Sequence, residues 1–286
     1  MQPVRYKLAI LHSTIRKDEK LLIDAARQRG IEPALVDVRE QVFDPVNFKQ
    51  EFDLVLDRCV STTKGLQSLL FFESLGVLTV NRYKVASLCA DKFATSLLLR
   101  QRGVPVPRFA LVFGENQALQ AVEQLGGFPV VIKPTHGSWG RLLAKINDRE
   151  SLEAILEHKV TLGSPQHHSF LLQEYIEKPG RDIRAFVIDG EVICAIYRYS
   201  SHWITNTARG AEVRKCEIFD ELRDLCSRIS EILGGGILGI DFLETREGLK
   251  VNEVNHATEF KNSEEPTGVS ISGRIIDYCL NCLSKR

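Results

Sequence analysis

The sequence carries no excess of charge of either sign: 37 basic and 37 acidic residues cancel across 286 positions. No overall field therefore draws the chain to nucleic acid or to an anionic membrane, and an acidic partner has to be met by a local basic patch. Long apolar runs are also missing, so no segment reaches the ~20 residues of a membrane-spanning helix. The opening Met1-Gln2-Pro3-Val4-Arg5-Tyr6-Lys7 leads into one short apolar strand. It lacks the apolar core and small-residue cleavage site of a secretory signal. Nor is there an even disulfide framework: the seven cysteines, at 59, 89, 194, 216, 226, 279 and 282, are odd in number and scattered. A reducing cytoplasm is the expected compartment. The C-x-x-C at Cys279 and Cys282 reads as the end of an amphipathic helix with buried thiols, because free cysteine packs as a small hydrophobe. After the first strand stands His12-Ser13-Thr14-Ile15-Arg16 rather than G-x-G-x-x-G, which argues against a dinucleotide-binding dehydrogenase. Internal repeats and low-complexity linkers are absent as well.

What is present is a 44% hydrophobic chain, long enough to bury a substantial core in two or three compact units. In its first third, strand-like Tyr6–Leu11, helical Lys17–Arg29 stopped by Gly30, buried Asp53–Asp57, a helix around Leu66–Leu75 and strand Val77–Asn81 alternate. Such alternation argues for a small parallel α/β layer. The stretch Gly103-Val104-Pro105-Val106-Pro107 breaks the helix before it and begins a second unit, since proline lacks the N–H and biases its predecessor to extended backbone. That unit holds strand Phe128–Pro134, loop Thr135–Gly140, strand Leu142–Ile146 and a helix capped by Asp148. Strands follow at Phe170–Ile176 and over Asp182–Tyr199, turned at Asp189-Gly190. Helix Asp220–Leu233 ends in three glycines, and Leu238–Glu244 and Leu249–Asn255 form an antiparallel pair before a polar loop and a C-terminal helix.

Two constellations carry chemistry. In Lys133-Pro134-Thr135-His136-Gly137-Ser138-Trp139-Gly140-Arg141 a lysine at a strand end precedes a loop with two glycines and two hydroxyls. Such a loop can lay N–H groups over phosphate oxygens, or it is a plain hairpin turn. Further on, Asp241 and the pair Glu253 and Asn255 lie within otherwise apolar strands, with Glu253 and Asn255 on one face. Three oxygen-bearing side chains on a two-strand floor suit Mg²⁺, because carboxylates in buried strands are costly unless a cation compensates them. The alternative is that the two carboxylates pair with arginines.

Together with Lys92 and the strand Leu172-Gln173-Glu174-Tyr175-Ile176, these residues resemble the ATP-grasp superfamily over essentially the whole chain. The resemblance implies an α/β ATP-grasp fold: an N-terminal parallel α/β domain over residues 1–90, a central lid domain over 91–170 and a C-terminal α+β domain over 171–286. It implies that Lys92 and Lys133 meet the nucleotide phosphates beneath the loop His136, Gly137, Ser138, Trp139 and Gly140. Glu174, Tyr175 and Ile176 hold adenosine, with Asp182 and Asn206 also on the nucleotide. Asp241, Glu253 and Asn255 hold Mg²⁺, with two ions expected. The runs Asp57-Arg58-Cys59-Val60-Ser61, Gly137–Arg141 and Asn255–Asn262 are most similar to the LysX/ArgX branch, relatives of the RimK glutamate ligases. Those enzymes join the α-amine of 2-aminoadipate or glutamate to the C-terminal glutamate of a small acidic amino-group carrier protein, LysW, in lysine or arginine biosynthesis.

The chemistry makes sense of the residue types, since a carboxylate becomes an acyl donor only once ATP converts it to an acyl phosphate. Arg184, Arg198 and Arg209 are the expected catalytic cations, suited to charge on transferring oxygens. For Arg181 a surface ion pair weighs as much as function. Arg58, Lys261 and Asn262 are expected to hold the incoming amino acid, aminoadipate in preference to glutamate, whereas Lys261 could instead pair with Glu264 or Glu265. His256 is expected near the site, and His167 and His168 in solvent. The reading thus expects a cytoplasmic homo-oligomeric ligase with no nucleic-acid or membrane partner. A RimK-like enzyme acting on another protein tail and a non-catalytic ATP-binding regulator remain as rivals.

Overall fold

The computed structural model describes residues 6–137, 141–163, 168–205 and 210–285. Its first unit alternates β1 (Leu8–His12), α1 (Lys17–Arg27), β2 (Ala34–Asp37), β3 (Leu54–Asp57), α2 (Thr62–Ser74) and β4 (Leu78–Val80). The four strands form a parallel sheet in the order β2-β1-β3-β4. β1 and β3 are buried along their whole length, as central strands of a parallel sheet are. Two helices, α3 (Tyr83–Ala90) and α4 (Lys92–Gln101), lead out of this unit; Asp91 caps α4 by accepting from Phe93 N and Ala94 N at 2.9 and 3.0 Å.

A second, antiparallel sheet has the order β5-β8-β6-β7, with β5 (Phe109–Val112), β6 (Val130–Pro134), β7 (Ala144–Ile146) and β8 (Phe170–Glu174). Helices α5 (Glu115–Gln124) and α6 (Arg149–Leu162) cover one side of it around Val122, Ile132, Leu152 and Phe170. The Asp148 cap on α6 is as expected, accepting from Ser151 N at 2.7 Å.

The third sheet, β11-β10-β9-β12-β13, is antiparallel and is built from β9 (Arg181–Ile188), β10 (Glu191–Tyr199), β11 (Glu212–Cys216), β12 (Ile237–Thr245) and β13 (Gly248–Asn255). The β9–β10 hairpin turns at Asp189 and Gly190, both at positive φ. Helix α7 (Asp220–Leu233) keeps its expected bounds and stops at Gly234, whose φ of +101° is left-handed backbone open to glycine. It packs Leu222, Cys226 and Ile229 on one face of the sheet, beside Cys89 of α3 and Leu99 of α4. The opposite face meets α9 (Ile271–Ser284) and α1 through Phe186, Ile196, Ile275 and Leu22, while α8 (Glu264–Thr267) runs beside β10 and β11. Asn81 ties the first unit to the third sheet: it donates to Ile237 O and His256 O at 2.7 Å each and accepts from Ile237 N at 2.6 Å. Cys279 is buried on α9 and Cys282 half-buried, and no helix among the described residues is long and apolar enough to cross a membrane. Ser138, Trp139, Gly140, Asn206 and Arg209 lie outside the described residues, as does His167.

Candidate active site

Strand alternation delivers charges to one end of the third sheet. In β9, Ile183, Ala185 and Val187 point into the core under α7, which leaves Asp182 and Arg184 on the other face. In β10, Ala195 faces α7 while Arg198 shares the phase of Cys194 and Ile196. In β12, Ile240 and Phe242 face α7, and Asp241 between them faces away. Asp182, Arg184, Arg198 and Asp241 thereby line one cavity between the sheets.

They form a closed ion network there. Arg184 donates Nε and Nη2 to the two oxygens of Asp241 at 2.7 Å. Arg198 does the same to Asp182 at 2.7 Å and also reaches Asp241 at 3.0 Å. Burial alone would raise the Asp241 carboxyl, but the pull of Arg184 and Arg198 overrides it and the group is held below its usual range. The same opposition, burial against Asp241 and Asp182, leaves the Arg198 guanidinium raised. Thr205 donates to Asp182, and Lys178, a cavity residue the sequence reading missed, donates to Thr205 Oγ1 at 2.7 Å. Arg198 is embedded inside β10 and buried. Arg181 takes its ion-pair alternative: Nε and Nη2 each donate to Glu244 at 2.7 Å, and the guanidinium lies 3.9 Å from the centre of the Tyr197 ring.

The expected metal set meets across β12 and β13, where Asp241 opposes Glu253 and Gly239 opposes Asn255. The register slips by one residue below Asp241, so Phe242 opposes Val251 and Asn252 bulges out. That bulge resets the alternation: Val251 enters the core while Glu253, two residues on, turns to the cavity. Glu253 and Asn255 do share a face. Lys92 Nζ donates to Glu253 Oε1 at 2.9 Å and to Gly137 O at 2.5 Å, and Lys133 Nζ donates to the bulged Asn252 at 2.8 Å. Burial pushes the Lys133 ammonium down to about 8, against the partial support of Glu253. Among the described residues no three His, Cys, Asp or Glu side chains cluster as a metal site. Two carboxylates and an amide oxygen beside two lysines nevertheless fit Mg²⁺, which takes few protein oxygens and completes its shell with phosphate and water. Asp241 also takes the alternative offered for it, since both its oxygens are engaged by arginines.

At the other end of the cavity, Gln173, Glu174, Tyr175 and Ile176 form one wall and Trp203 and Ile204 another. The Tyr175 ring carries Lys145 Nζ 3.8 Å from its centre and meets Trp203 at an angle. The Glu174 carboxylate is held by Arg108 Nε at 2.8 Å and Lys250 Nζ at 3.1 Å. These partners lower it despite burial. Gly137 lines the cavity, but His136 is exposed and does not; it bridges to Asp91 instead.

The expected substrate residues divide. Lys261 and Asn262 line a small pocket with Arg184, Arg198 and Glu259. Arg58, expected beside them, does not line the cavity and is instead a buried strut. It donates to Thr258 O at 3.0 Å and Glu19 Oε1 at 3.3 Å, with Phe260 packed against its guanidinium. The cation that does face the cavity at this end is Arg16. Its position in a helix-start turn carried no motif, and its partner Glu259 is 243 residues away. His256 lines the cavity, and burial lowers its imidazole. His168 departs from its solvated expectation, with Nε2 buried.

Residues 89–279 match a RimK-like ATP-grasp domain and residues 8–88 a LysX preATP-grasp domain. The alpha-aminoadipate–LysW ligase LysX of Sulfurisphaera tokodaii is 34% identical over 94% of this chain and 96% of that protein. The glutamate–LysW ligase ArgX of the same organism is 30% identical over 98% of this chain and 100% of its own. A RimK domain ATP-grasp protein from Sphaerobacter thermophilus superposes with a TM-score of 0.80 at 29% identity, covering 95% of this chain and 98% of that one. With its order of sheets and its cavity chemistry, the chain belongs to the RimK-like ATP-grasp family and is a carboxylate–amine ligase.

Proposed function

We infer that this ligase activates the C-terminal glutamate of a small acidic amino-group carrier protein with ATP and joins it to the α-amine of 2-aminoadipate. The observation that carries the reading is the meeting of Lys92, Lys133, Arg184 and Arg198 with Asp241, Glu253 and Asn255 in one cavity. Lys92 and Lys133 receive the triphosphate under the loop that begins at His136 and Gly137 and continues through Ser138, Trp139 and Gly140. Glu174, Tyr175 and Ile176 form the adenosine wall; Asp182 serves the nucleotide indirectly, by fixing Arg198, and Asn206 contacts the nucleotide. Arg184 and Arg198, with Arg209, stabilise charge on the phosphoryl oxygens as the carrier carboxylate attacks. Mg²⁺, as two ions on Asp241, Glu253 and Asn255, would neutralise phosphate charge and polarise the transferring group. The domain divisions near residues 90 and 170 belong to this reading, as does a homo-oligomeric state.

Lys261 and Asn262 give the small pocket the cationic and amide groups that a side-chain carboxylate needs. Relatives named for aminoadipate are 34%, 35% and 32% identical to this chain and those named for glutamate 30%, so the choice of aminoadipate rests on the resemblance of the Asn255–Asn262 run and not on overall identity. Glutamate is the second reading, because one methylene in a pocket is worth only ~1–3 kcal/mol. The test is mass spectrometry of a purified carrier ending in glutamate, after incubation with enzyme, Mg²⁺, ATP and both amino acids in competition. Carrier bearing mainly aminoadipate is expected. Mainly glutamate reverses the choice, and unmodified carrier with both sinks the reading.

A further inference from the structure

We propose that Glu259 is the residue that receives the α-amine of the acceptor amino acid and takes a proton from it. The assignment rests on the carrier-ligase reading above. Amines arrive at neutral pH as ammonium ions and cannot attack until a proton is lost, so a carboxylate at the acceptor end has a defined task. Glu259 is the carboxylate shared by the main cavity and by the small pocket of Lys261 and Asn262. Each cavity carboxylate has a cationic partner, Glu174 in Arg108, Asp182 and Asp241 in arginines and Glu253 in Lys92, but none of these four lines the small pocket.

Its placement is built from both sides. Arg58 holds the carbonyl of Thr258, and Asp18 accepts from the amides of Phe260 and Lys261 at 2.6 and 3.0 Å. Glu259 stands between these two anchors. Gly239 lets the loop approach the sheet, since a Cβ there would lie 2.3 Å from Thr258 Oγ1. Arg16 Nη1 then donates to Glu259 Oε1 at 2.6 Å, while Glu19 fixes the same guanidinium through Nε and Nη2 at 3.0 and 2.9 Å.

The charges at this end leave room for an ammonium. Arg16 and Arg58 face Asp18, Glu19 and Glu259, three carboxylates against two guanidiniums. Asp18 Oδ2, Arg58 Nη2 and Thr258 Oγ1 are buried there without a hydrogen-bond partner, an arrangement that polar groups keep at a price in stability unless function requires it. Arg184 and Arg198, which line the small pocket beside Glu259, are themselves matched by Asp241 and Asp182.

In the step, the amine nitrogen bonds to the carbonyl carbon of the acyl phosphate and the bond from that carbon to the phosphate oxygen breaks. Of the ammonium's protons one stays on the amide, one leaves with hydrogen phosphate, and one passes to Glu259 and on to solvent.

The experiment compares wild type with Glu259→Gln in two reactions: ligation of 2-aminoadipate to a carrier ending in glutamate, and hydroxamate formation with hydroxylamine, a nucleophile already neutral near pH 7. The variant is expected to keep hydroxamate formation and to lose at least about a hundredfold in ligation. Ligation should recover as rising pH supplies free amine. Parallel loss of both reactions marks a purely structural ion pair and overturns the assignment, as does retention of both. If wild type forms hydroxamate but ligates neither aminoadipate nor glutamate, the carrier-ligase reading fails and the assignment falls with it.

Discussion

Lys92, on the first turn of α4, donates to Glu253 on β13 at 2.9 Å across 161 residues of sequence, and both side chains are largely shielded from solvent. The carboxylate expected to hold Mg²⁺ is therefore also the counter-ion of a lysine expected to hold phosphate. Nucleotide and metal, arriving together, can replace each partner with a group of like charge. Glu253→Ala should abolish turnover to below about a tenth of wild type, a barrier increase above ~1.4 kcal/mol. It should also cost about 1–3 kcal/mol of stability, because a buried ammonium loses its partner. Thermal melting beside an ADP-release assay checks both; an unchanged melting temperature would deny the ion pair its structural role.

Lys133 sets a pH limit. Its ammonium is pushed down to about 8 by burial, so the ligand-free enzyme loses this phosphate-binding charge as pH rises through that value. The kcat/KM for ATP should fall on the alkaline side with an apparent pKa near about 8. Bound phosphate favours the charged form, so the corresponding limb in kcat should lie at higher pH. A folded pKa below the unfolded value of a lysine means that charged Lys133 opposes folding at neutral pH; the strain lessens as pH rises above about 8. Lys133→Arg should flatten the alkaline limb, and an identical profile in that variant would assign the limb to another group.

Arg198 and Arg181 separate burial from exposure within one sheet. Arg198→Ala leaves Asp182 and Asp241 buried without their shared cation and should cost about 3–5 kcal/mol, with loss of turnover. Arg181→Ala removes a half-exposed pair with Glu244 outside the cavity and should cost no more than ~1 kcal/mol, with ADP release within about twofold of wild type. Comparable losses in the two variants would contradict the division of roles.

Features written in local pattern were legible from sequence: the Asp189-Gly190 hairpin, the Asp148 cap, α7 with its terminal glycine, and the antiparallel pair that carries Asp241, Glu253 and Asn255. Short or exposed strands escaped notice, β2 and β11 among them, because half-exposed residues carry little apolar alternation. The bulge at Asn252 was invisible for a sharper reason. Strict alternation puts Val251 and Glu253 on one face, and only the register against β12 separates them. Arg58 was expected at the amino acid as a cation of the right type for a carboxylate, yet it turns beneath the Thr258–Phe260 loop; Arg16 and Lys178 face the cavity through tertiary packing that no motif records.

The central claim is that the carrier carboxylate is activated as an acyl phosphate, and isotope transfer tests it most directly. A carrier whose terminal carboxylate is labelled with heavy oxygen is incubated with enzyme, ATP, Mg²⁺ and aminoadipate, and the released inorganic phosphate is examined by mass spectrometry. One labelled oxygen in phosphate for each amide formed is the result expected here. Label found in AMP, or amide formed with no label in phosphate, would contradict the account.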